Sequence, residues 1–218
     1  TEDGAVKLAY IGTAYNGSCN ETHGYGVEKG AYNDTIDYMA DKDSTIKTSV
    51  DKWYKENILQ YQEYIQDTVY CNDRSKDDNG NYNVNNRLGG SNQVKPTNKC
   101  NNEDSFTVSD KVGNGKLKYP AGLLTADEYV YSGGSVSATS NIFTTFLIGQ
   151  YYTMSPQSDN NIYIVSKTGL GISTVDNSKD YATVPIISLN SKAIVIHGDG
   201  SQESPYEIKT DTNDVLKD

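Results

Sequence analysis

Short, closely spaced strands in the second half of this chain constrain its fold more than any other feature. Between residues 144 and 197 the segments that read as strands are TTFLIGQYYTMS, NIYIVS, GLGISTV, TVPIISL and KAIVIH, each bounded by turn residues. Pro185 lies inside one of these runs, so that run is an edge strand or a strand begins there. A turn and a last short strand are predicted in GDGSQESPYEIK. Connections this short predict antiparallel pairing.

The first half contains one clear amphipathic helix, in DSTIKTSVDKWYKENI. Its apolar residues recur at the spacing of a single helical stripe: Ile46, Val50, Trp53 and Tyr54. Ser44 or Asp43 is suited to cap its start. We expect Trp53, the one tryptophan of the chain, to anchor the core and not to serve as a ligand platform.

A second, shorter helix is marked at both ends in YPAGLLTADEYVYSGG. Thr125 with Glu128 three residues later forms a capping-box pattern, and Gly133 is suited to a left-handed stop. The helix is predicted over residues 126–132. A helix this short cannot hold itself by propensity, so we interpret it as part of the frame that supports the sheet.

Composition and charge exclude several classes of partner. The chain of 218 residues has a formal net charge of -10 and contains no cluster of Lys or Arg. Nucleic acid and anionic membranes are therefore disfavoured partners, and no run of 18 apolar residues predicts a membrane span. The aromatic composition is unusual, with 18 Tyr against 3 Phe. A tyrosine ring with its polar hydroxyl suits sheets that have one solvent-exposed face, and it suits recognition surfaces.

Three cysteines, Cys19, Cys71 and Cys100, form no metal-binding pattern. Cys71 precedes, and Cys100 lies near the end of, a polar stretch over residues 72–102 with ten Asn, in which Asn79-Gly80 predicts a hairpin turn. We predict a disulfide between them, and hence an oxidising compartment. Cys19 would then be free or paired elsewhere. The alternative is three unpaired thiols.

The sequence contains few residue patterns that are typical of a catalytic site. The only histidines are His23 and His197, and neither belongs to an arrangement of nucleophile, base and orienting group. The chain is therefore predicted to be no enzyme and to need no cofactor. A calcium site remains an alternative at two acidic stretches, although neither has the carboxylate spacing of an EF-hand loop. The first stretch contains Asp41 and Asp43, and the second contains Asp73, Asp77 and Asp78.

Several segments resemble known domains. GLLTADEYVYSGG is similar to the Leu-Pro-Thr-x-Ala-Glu-Trp-Glu…Gly-Gly segment of formylglycine-generating-enzyme-like domains, whose core is related to the C-type lectin fold. STIKTSVDKWYKENI, DTVYCNDRS, YPAGLLTADE, YYTMSP, PIISL and GDGSQESPYEI, in this order, look like a family of secreted or surface modules of gut Firmicutes. The resemblance covers roughly residues 5–208 and implies a C-type-lectin-like fold.

The departures from these families limit what the resemblance implies. No cysteine follows Cys100, so the oxidase chemistry of the formylglycine enzymes is not carried over. The Glu-Pro-Asn, Gln-Pro-Asp and Trp-Asn-Asp strings of calcium-dependent sugar-binding lectins are absent. In such a fold the span 155–182 would form the exposed ligand face. The candidate ligand-binding residues there are Gln157, Ser158, Asp159, Asn160, Asn161, Tyr163, Asn177 and Tyr181.

The sequence therefore predicts an α+β, C-type-lectin-like domain over residues 1–208, with two main short helices, antiparallel sheets, long polar loops and a frayed tail over 209–218. EDG near the start reads as a turn whose preceding strand is missing. The predicted function is a non-enzymatic extracellular or cell-surface binding module for a host or bacterial surface protein or glycan. A structural subunit or stalk that self-associates is the first alternative, and an ordinary polar surface at 155–182 is another.

Overall fold

The computed structural model describes residues 5–10, 26–30, 32–33, 43–89, 94–136, 150–166, 168–176, 181–201 and 203–209. The α-helices in these ranges are α1 (Thr45–Asn57), α2 (Asn83–Leu88) and α3 (Ala126–Tyr131). Two 3-10 helices span Leu59–Tyr64 and Asn102–Asp104. The strands are β1 (Val6–Ala9), β2 (Glu28–Gly30), β3 (Tyr70–Cys71), β4 (Ser105–Phe106), β5 (Tyr151–Ser158), β6 (Asn161–Ser166), β7 (Gly169–Thr174), β8 (Tyr181–Thr183), β9 (Ile186–Leu189), β10 (Val195–His197) and β11 (Glu207–Ile208).

A five-stranded sheet with the order β2-β8-β5-β6-β7 organises the fold. The β5-β6-β7 part is an antiparallel meander, as the spacing predicts. β8 instead runs parallel to β5, because the chain crosses from β7 to the other side of β5 before β8 begins. Three two-stranded sheets, β1-β9, β3-β4 and β10-β11, accompany it. The predicted α+β class is confirmed.

Both faces of the large sheet are buried at the strand β6. Ile162 and Ile164 belong to the core cluster that contains the α1 side chains, whereas Tyr163 and Val165 belong to the clusters of α2 and α3. Side chains alternate between the faces of a strand, so α1 covers one face and the two short helices cover the other. β6 consequently lies between two apolar layers.

The structure confirms the predicted α1. Ser44 caps it by accepting a hydrogen bond from the backbone N–H of Lys47 at 3.1 Å. All four stripe residues are buried, and the Trp53 ring stacks on Tyr10 of the segment that follows β1, with 5.1 Å between ring centroids. Trp53 is a core anchor, as expected.

The capping box of α3 is also confirmed. Thr125 Oγ1 accepts from the backbone N–H of Glu128, and Glu128 Oε2 accepts from the backbone N–H of Thr125, each at 3.0 Å. Gly133 takes a left-handed conformation with φ of 96° just after the helix. The helix ends at Tyr131, one residue before the predicted end, because Ser132 already leaves helical geometry.

Pro185 and the turn at Asn79-Gly80 both lie in the local structures that the sequence predicts. Pro185 directly precedes β9, and its carbonyl accepts from Tyr10 N–H at 2.9 Å, so it marks a strand start as predicted. The hairpin turn at Asn79-Gly80 is confirmed, with Gly80 at φ 81° and a bridge between Lys76 and Tyr82.

The polar stretch between the cysteines is more structured than the sequence predicts. Cys71 and Cys100 form the predicted pair, with their Cα atoms 5.6 Å apart. The stretch between them contains α2, a third α-helix. The sequence does not predict it, because the segment is rich in Asn, which has a low helix propensity. Val84 and Leu88 are buried beneath it, so tertiary packing stabilises this helix.

Some predictions lie outside the described residues. These are Cys19, His23, Asp41, Asn177, the segment 144–149 of the first predicted strand, the missing-strand turn at residues 2–4 and the tail from residue 210.

Candidate ligand-binding rim

The turn between β5 and β6 brings the first five candidate ligand residues together. Asp159 and Asn160 are exposed at its tip, and Gln157, Ser158 and Asn161 are half-buried beside it. Asn161 Nδ2 donates to Ser158 Oγ across the turn at 2.8 Å. This hydrogen bond fixes two of the candidate side chains before any ligand arrives.

A hairpin from the Asn-rich stretch lies against this turn. Lys76 Nζ donates to Asp159 Oδ1 at 2.6 Å, and the Tyr82 hydroxyl donates to the same oxygen at 2.9 Å. The Lys76 ammonium also lies 4.6 Å from the centre of the Tyr82 ring. Lys76 and Tyr82 therefore meet Asp159 at one carboxylate, although they lie 83 and 77 positions before it in the sequence.

Helix α2 adds a second connection to the same turn. Asn85 Nδ2 donates to the Gln157 carbonyl at 2.7 Å, and the Tyr163 hydroxyl donates to Asn85 Oδ1 at 2.8 Å. We call the surface formed by the hairpin 76–82, helix α2 and the turn 157–161 the rim. Its exposed groups are mainly amides and carboxylates, carried by Asp78, Asn79, Asn81, Asn86, Asp159 and Asn160.

These contacts fix the charges of the rim. The hydrogen bonds from Lys76 and then Tyr82 hold the pKa of Asp159 below its usual range. The same hydrogen bond to Asp159 raises the pKa of Lys76. Hydrogen bonds from Asn86 and from the Asn81 backbone lower the pKa of Asp77. At neutral pH the rim therefore presents ionised carboxylates and one ammonium that Asp159 already neutralises.

Beneath the rim, a half-buried arginine joins the two short helices. Arg87 on α2 donates to Asp127 of α3 and, from Nη1 at 2.5 Å, to Asp73. Asp127 Oδ1 also accepts from the backbone N–H of Thr97 at 3.0 Å. The position of α2, and therefore of the rim, thus depends on the largely buried side chain of Arg87.

Two predicted ligand residues lie away from this surface. Tyr163 and Tyr181 are only 7% and 8% exposed, and their rings pack in the cores on opposite faces of the sheet. Tyr163 still supports the rim through Asn85. A direct ligand contact by either ring stays a prediction.

Sequence reasoning missed Lys76, Tyr82 and Asn85 as rim residues. The hairpin signal at Asn79-Gly80 placed them on an exposed loop, but nothing local indicated that this loop meets the turn at 157–161.

Acidic residues of the same loop were candidates for calcium. Asp77 Oδ1 is occupied by the backbone N–H groups of Asn79 and Asn81, each at 2.9 Å. Within the described ranges no three His, Cys, Asp or Glu side chains are grouped as metal ligands.

No protein-family model, curated protein or solved structure matches this chain. Within the part of the chain that the structure describes, no helix combines the length and the apolar character needed to cross a membrane.

Proposed function

We propose that this chain is a non-enzymatic extracellular binding module of C-type-lectin-like fold, and that its protein or carbohydrate ligand contacts the rim. The observation that carries the proposal is the convergence of Lys76 and Tyr82 on Asp159. It joins two polar segments that are distant in sequence into one braced surface. Polar groups held in place before binding lose less side-chain entropy on binding.

The chemistry of the rim supports a polar ligand. Amide and carboxylate side chains offer paired donors and acceptors, which suit the hydroxyl groups of a glycan or the backbone of a surface protein. The cysteine pair supports an extracellular or cell-surface location, because disulfides persist in oxidising compartments.

The experiment is a binding screen of the purified protein against host glycans, mucins and bacterial surface proteins, with calcium and with a chelator. Asn160→Ala and Asp159→Asn should abolish the signal without lowering the melting temperature by more than a degree or two. Asn98→Ala, at an exposed asparagine outside the rim, is the matched control and should bind normally. A ligand that binds both rim variants as tightly as the parent protein would contradict the proposal. A signal lost only in chelator would instead assign the binding to a calcium-dependent adhesin.

A structural subunit or stalk of a bacterial surface assembly is the second candidate. The observation in its favour is a set of exposed apolar side chains on the two-stranded sheets and the loops beside them: Val6, Leu8, Ile194, Val195 and Tyr206. Exposed apolar strands are surfaces through which chains associate. Sedimentation that shows concentration-dependent self-association, abolished by Val6→Lys with Val195→Lys, would favour this candidate over the binding module.

A further inference from the structure

Asn-Gly pairs occur at Asn79-Gly80 and Asn114-Gly115 in the described part of the chain. In such a pair the main-chain nitrogen of the glycine can attack the side-chain amide carbon of the asparagine, because glycine has no Cβ to block the approach. Both pairs share this local chemistry. Their surroundings in the folded protein therefore decide which of them reacts.

The side chain of Asn114 is held in place. Its Nδ2 donates to the Glu103 carbonyl at 2.8 Å, and its Oδ1 accepts from the backbone N–H of Lys116 at 3.0 Å. The space beside Gly115 is also closed, since a Cβ built there would lie 3.0 Å from the Asp110 Cβ. The Asn114 amide must leave both hydrogen bonds before its carbon can meet the nitrogen of Gly115.

Asn79 is exposed at the tip of the hairpin 76–82 and lacks these restraints. Asp77 holds the main chain of the turn, because its Oδ1 accepts from the N–H groups of Asn79 and Asn81. Among the residues that the structure describes, none forms a hydrogen bond with the Asn79 side chain. A Cβ built on Gly80 would meet no atom within 4 Å, so a ring formed there has room.

The attacking nitrogen is restrained in both pairs. Gly80 N–H donates to the Asp77 carbonyl at 2.9 Å, and Gly115 N–H donates to Thr107 Oγ1 at 3.3 Å. Each hydrogen bond must open before the nitrogen can lose its proton, and the two bonds differ little in strength. The difference between the pairs therefore comes from the asparagine side chains.

We propose that Asn79 is a site of spontaneous deamidation that alters the rim as the protein ages. The Gly80 nitrogen loses its proton to hydroxide and bonds to Asn79 Cγ, while the Cγ–Nδ2 bond breaks and ammonia leaves with a proton from water. Water then adds to either carbonyl carbon of the cyclic imide and opens the ring. One water is consumed, ammonia is released, and nothing is oxidised or reduced. The products are aspartate at position 79 and isoaspartate, whose main chain runs through the side-chain carbon.

The isoaspartate product affects the geometry of the rim. It adds one carbon to the main chain inside the turn that is closed by the hydrogen bond from Asp77 N–H to the Asn81 carbonyl at 2.8 Å. This turn joins Lys76 to Tyr82, the two residues that meet at Asp159. The aspartate product adds a carboxylate and leaves the length of the main chain unchanged. A loss of ligand with age rests on the proposed function, whereas the modification itself does not.

The test stores the folded protein, with its disulfide intact, in mildly alkaline buffer over several weeks. Mass spectrometry of proteolytic peptides then measures how much of each asparagine has exchanged its NH₂ group for OH. Asn79 should react at least about tenfold faster than Asn114, because the hydrogen bonds of the Asn114 side chain raise its barrier. In guanidinium chloride the two should react at similar rates. Asn79→Gln, which closes a ring far more slowly, is the matched control and should leave position 79 intact.

Amide chemical shifts of the ¹⁵N-labelled protein measure the effect on the rim. The isoaspartate form, separated by chromatography, should shift the amides of Lys76 and Tyr82 from their positions in the parent protein. Freshly prepared Asn79→Asp carries the same charge on an unchanged main chain and should shift them less.

Three results would overturn the proposal. The first is an Asn79 that stays intact in the folded protein after the unfolded chain has reacted. The second is an equal rate for Asn79 and Asn114 in the folded protein, which would show that side-chain hydrogen bonds do not select the site. The third is an isoaspartate form with parent shifts at Lys76 and Tyr82, which would show that the rim does not respond. Because no readout uses a ligand, failure of the proposed function would leave all three unchanged.

Discussion

Arg87 binds Asp127 through both carboxylate oxygens: its Nε donates to Oδ1 at 3.0 Å and its Nη2 donates to Oδ2 at 2.8 Å. This two-pronged geometry connects α2 to the first turn of α3. Asp127 is only 4% exposed, and these donors together with the backbone N–H of Thr97 supply hydrogen bonds to its carboxylate. The pair therefore sets where α2 lies, and α2 carries one side of the rim.

The first prediction concerns this arginine. Arg87→Met should lower the free energy of unfolding by about 3–5 kcal/mol, because it leaves the buried carboxylate of Asp127 and the half-buried carboxylate of Asp73 without their cation. Arg87→Lys should restore only part of the loss, since an ammonium cannot form the planar double contact. Urea unfolding of the three proteins measures the effect. A Met variant within 1 kcal/mol of the parent protein would mean that the pair contributes little.

The features that the sequence predicts well are those with local causes. In α1 the cap and the stripe lie within one segment, so the helix and the burial of Trp53 follow from spacing alone. The same holds for the capping box of α3. The helix α2 escaped prediction because its stability comes from Val84 and Leu88 packing against distant residues and from Arg87, contacts that no local pattern of Asn records.

The rim was predictable only in part, for the same physical reason. The turn 157–161 is consecutive in sequence, so its residues were found together. Its partner hairpin is 83 positions away at the contact between Lys76 and Asp159. The choice of partner depends on the three-dimensional path of the chain. Tyr181 shows the opposite case: its ring is only 8% exposed and packs in the core, a burial that the local sequence does not indicate.

The second prediction concerns the cysteine pair. Cys71→Ser should lower the free energy of unfolding by about 3–4 kcal/mol, because the bridge closes a loop with a sequence separation of 29 residues. Reductant should destabilise the parent protein by a similar amount and should leave the Cys71→Ser with Cys100→Ser variant unchanged. The measurement is thermal unfolding with and without dithiothreitol. A parent protein that does not respond to reductant would contradict the stabilising role of the pair.

The third prediction concerns the capping box. Thr125→Ala removes the oxygen that accepts from Glu128 N–H and should cost about 1 kcal/mol of stability. Thr125→Ser retains a hydroxyl and is the matched control, expected to cost less than half as much. Urea unfolding of both variants distinguishes them. Equal losses would show that the methyl group of Thr125, which is 1% exposed, matters more than its hydrogen bond.

The fourth prediction concerns pH and rests on Asp73. Burial raises the pKa of this carboxyl, but hydrogen bonds from Ser75 and Arg87 outweigh burial, and the pKa in the folded protein lies below its usual range. In the unfolded chain the pKa of this carboxyl is about 3.9. The unfolded state therefore binds the proton more readily, and stability rises with pH across this interval. The contribution of Asp73 is fully present above the unfolded value and is lost as pH falls through the folded value.

Asp73→Asn removes this titration. The variant should be less stable than the parent protein at about pH 6, and the difference should begin to shrink as the pH falls below about 3.9, because the contribution of the charged carboxyl is lost between the unfolded value and the lower folded value. Urea unfolding at a series of pH values measures the difference. Asp78→Asn, at an exposed neighbouring carboxylate, is the control, and its curve should stay nearly parallel to that of the parent. A constant gap between Asp73→Asn and the parent protein across this range would show that Asp73 stabilises the fold through packing or neutral hydrogen bonds and not through its charge.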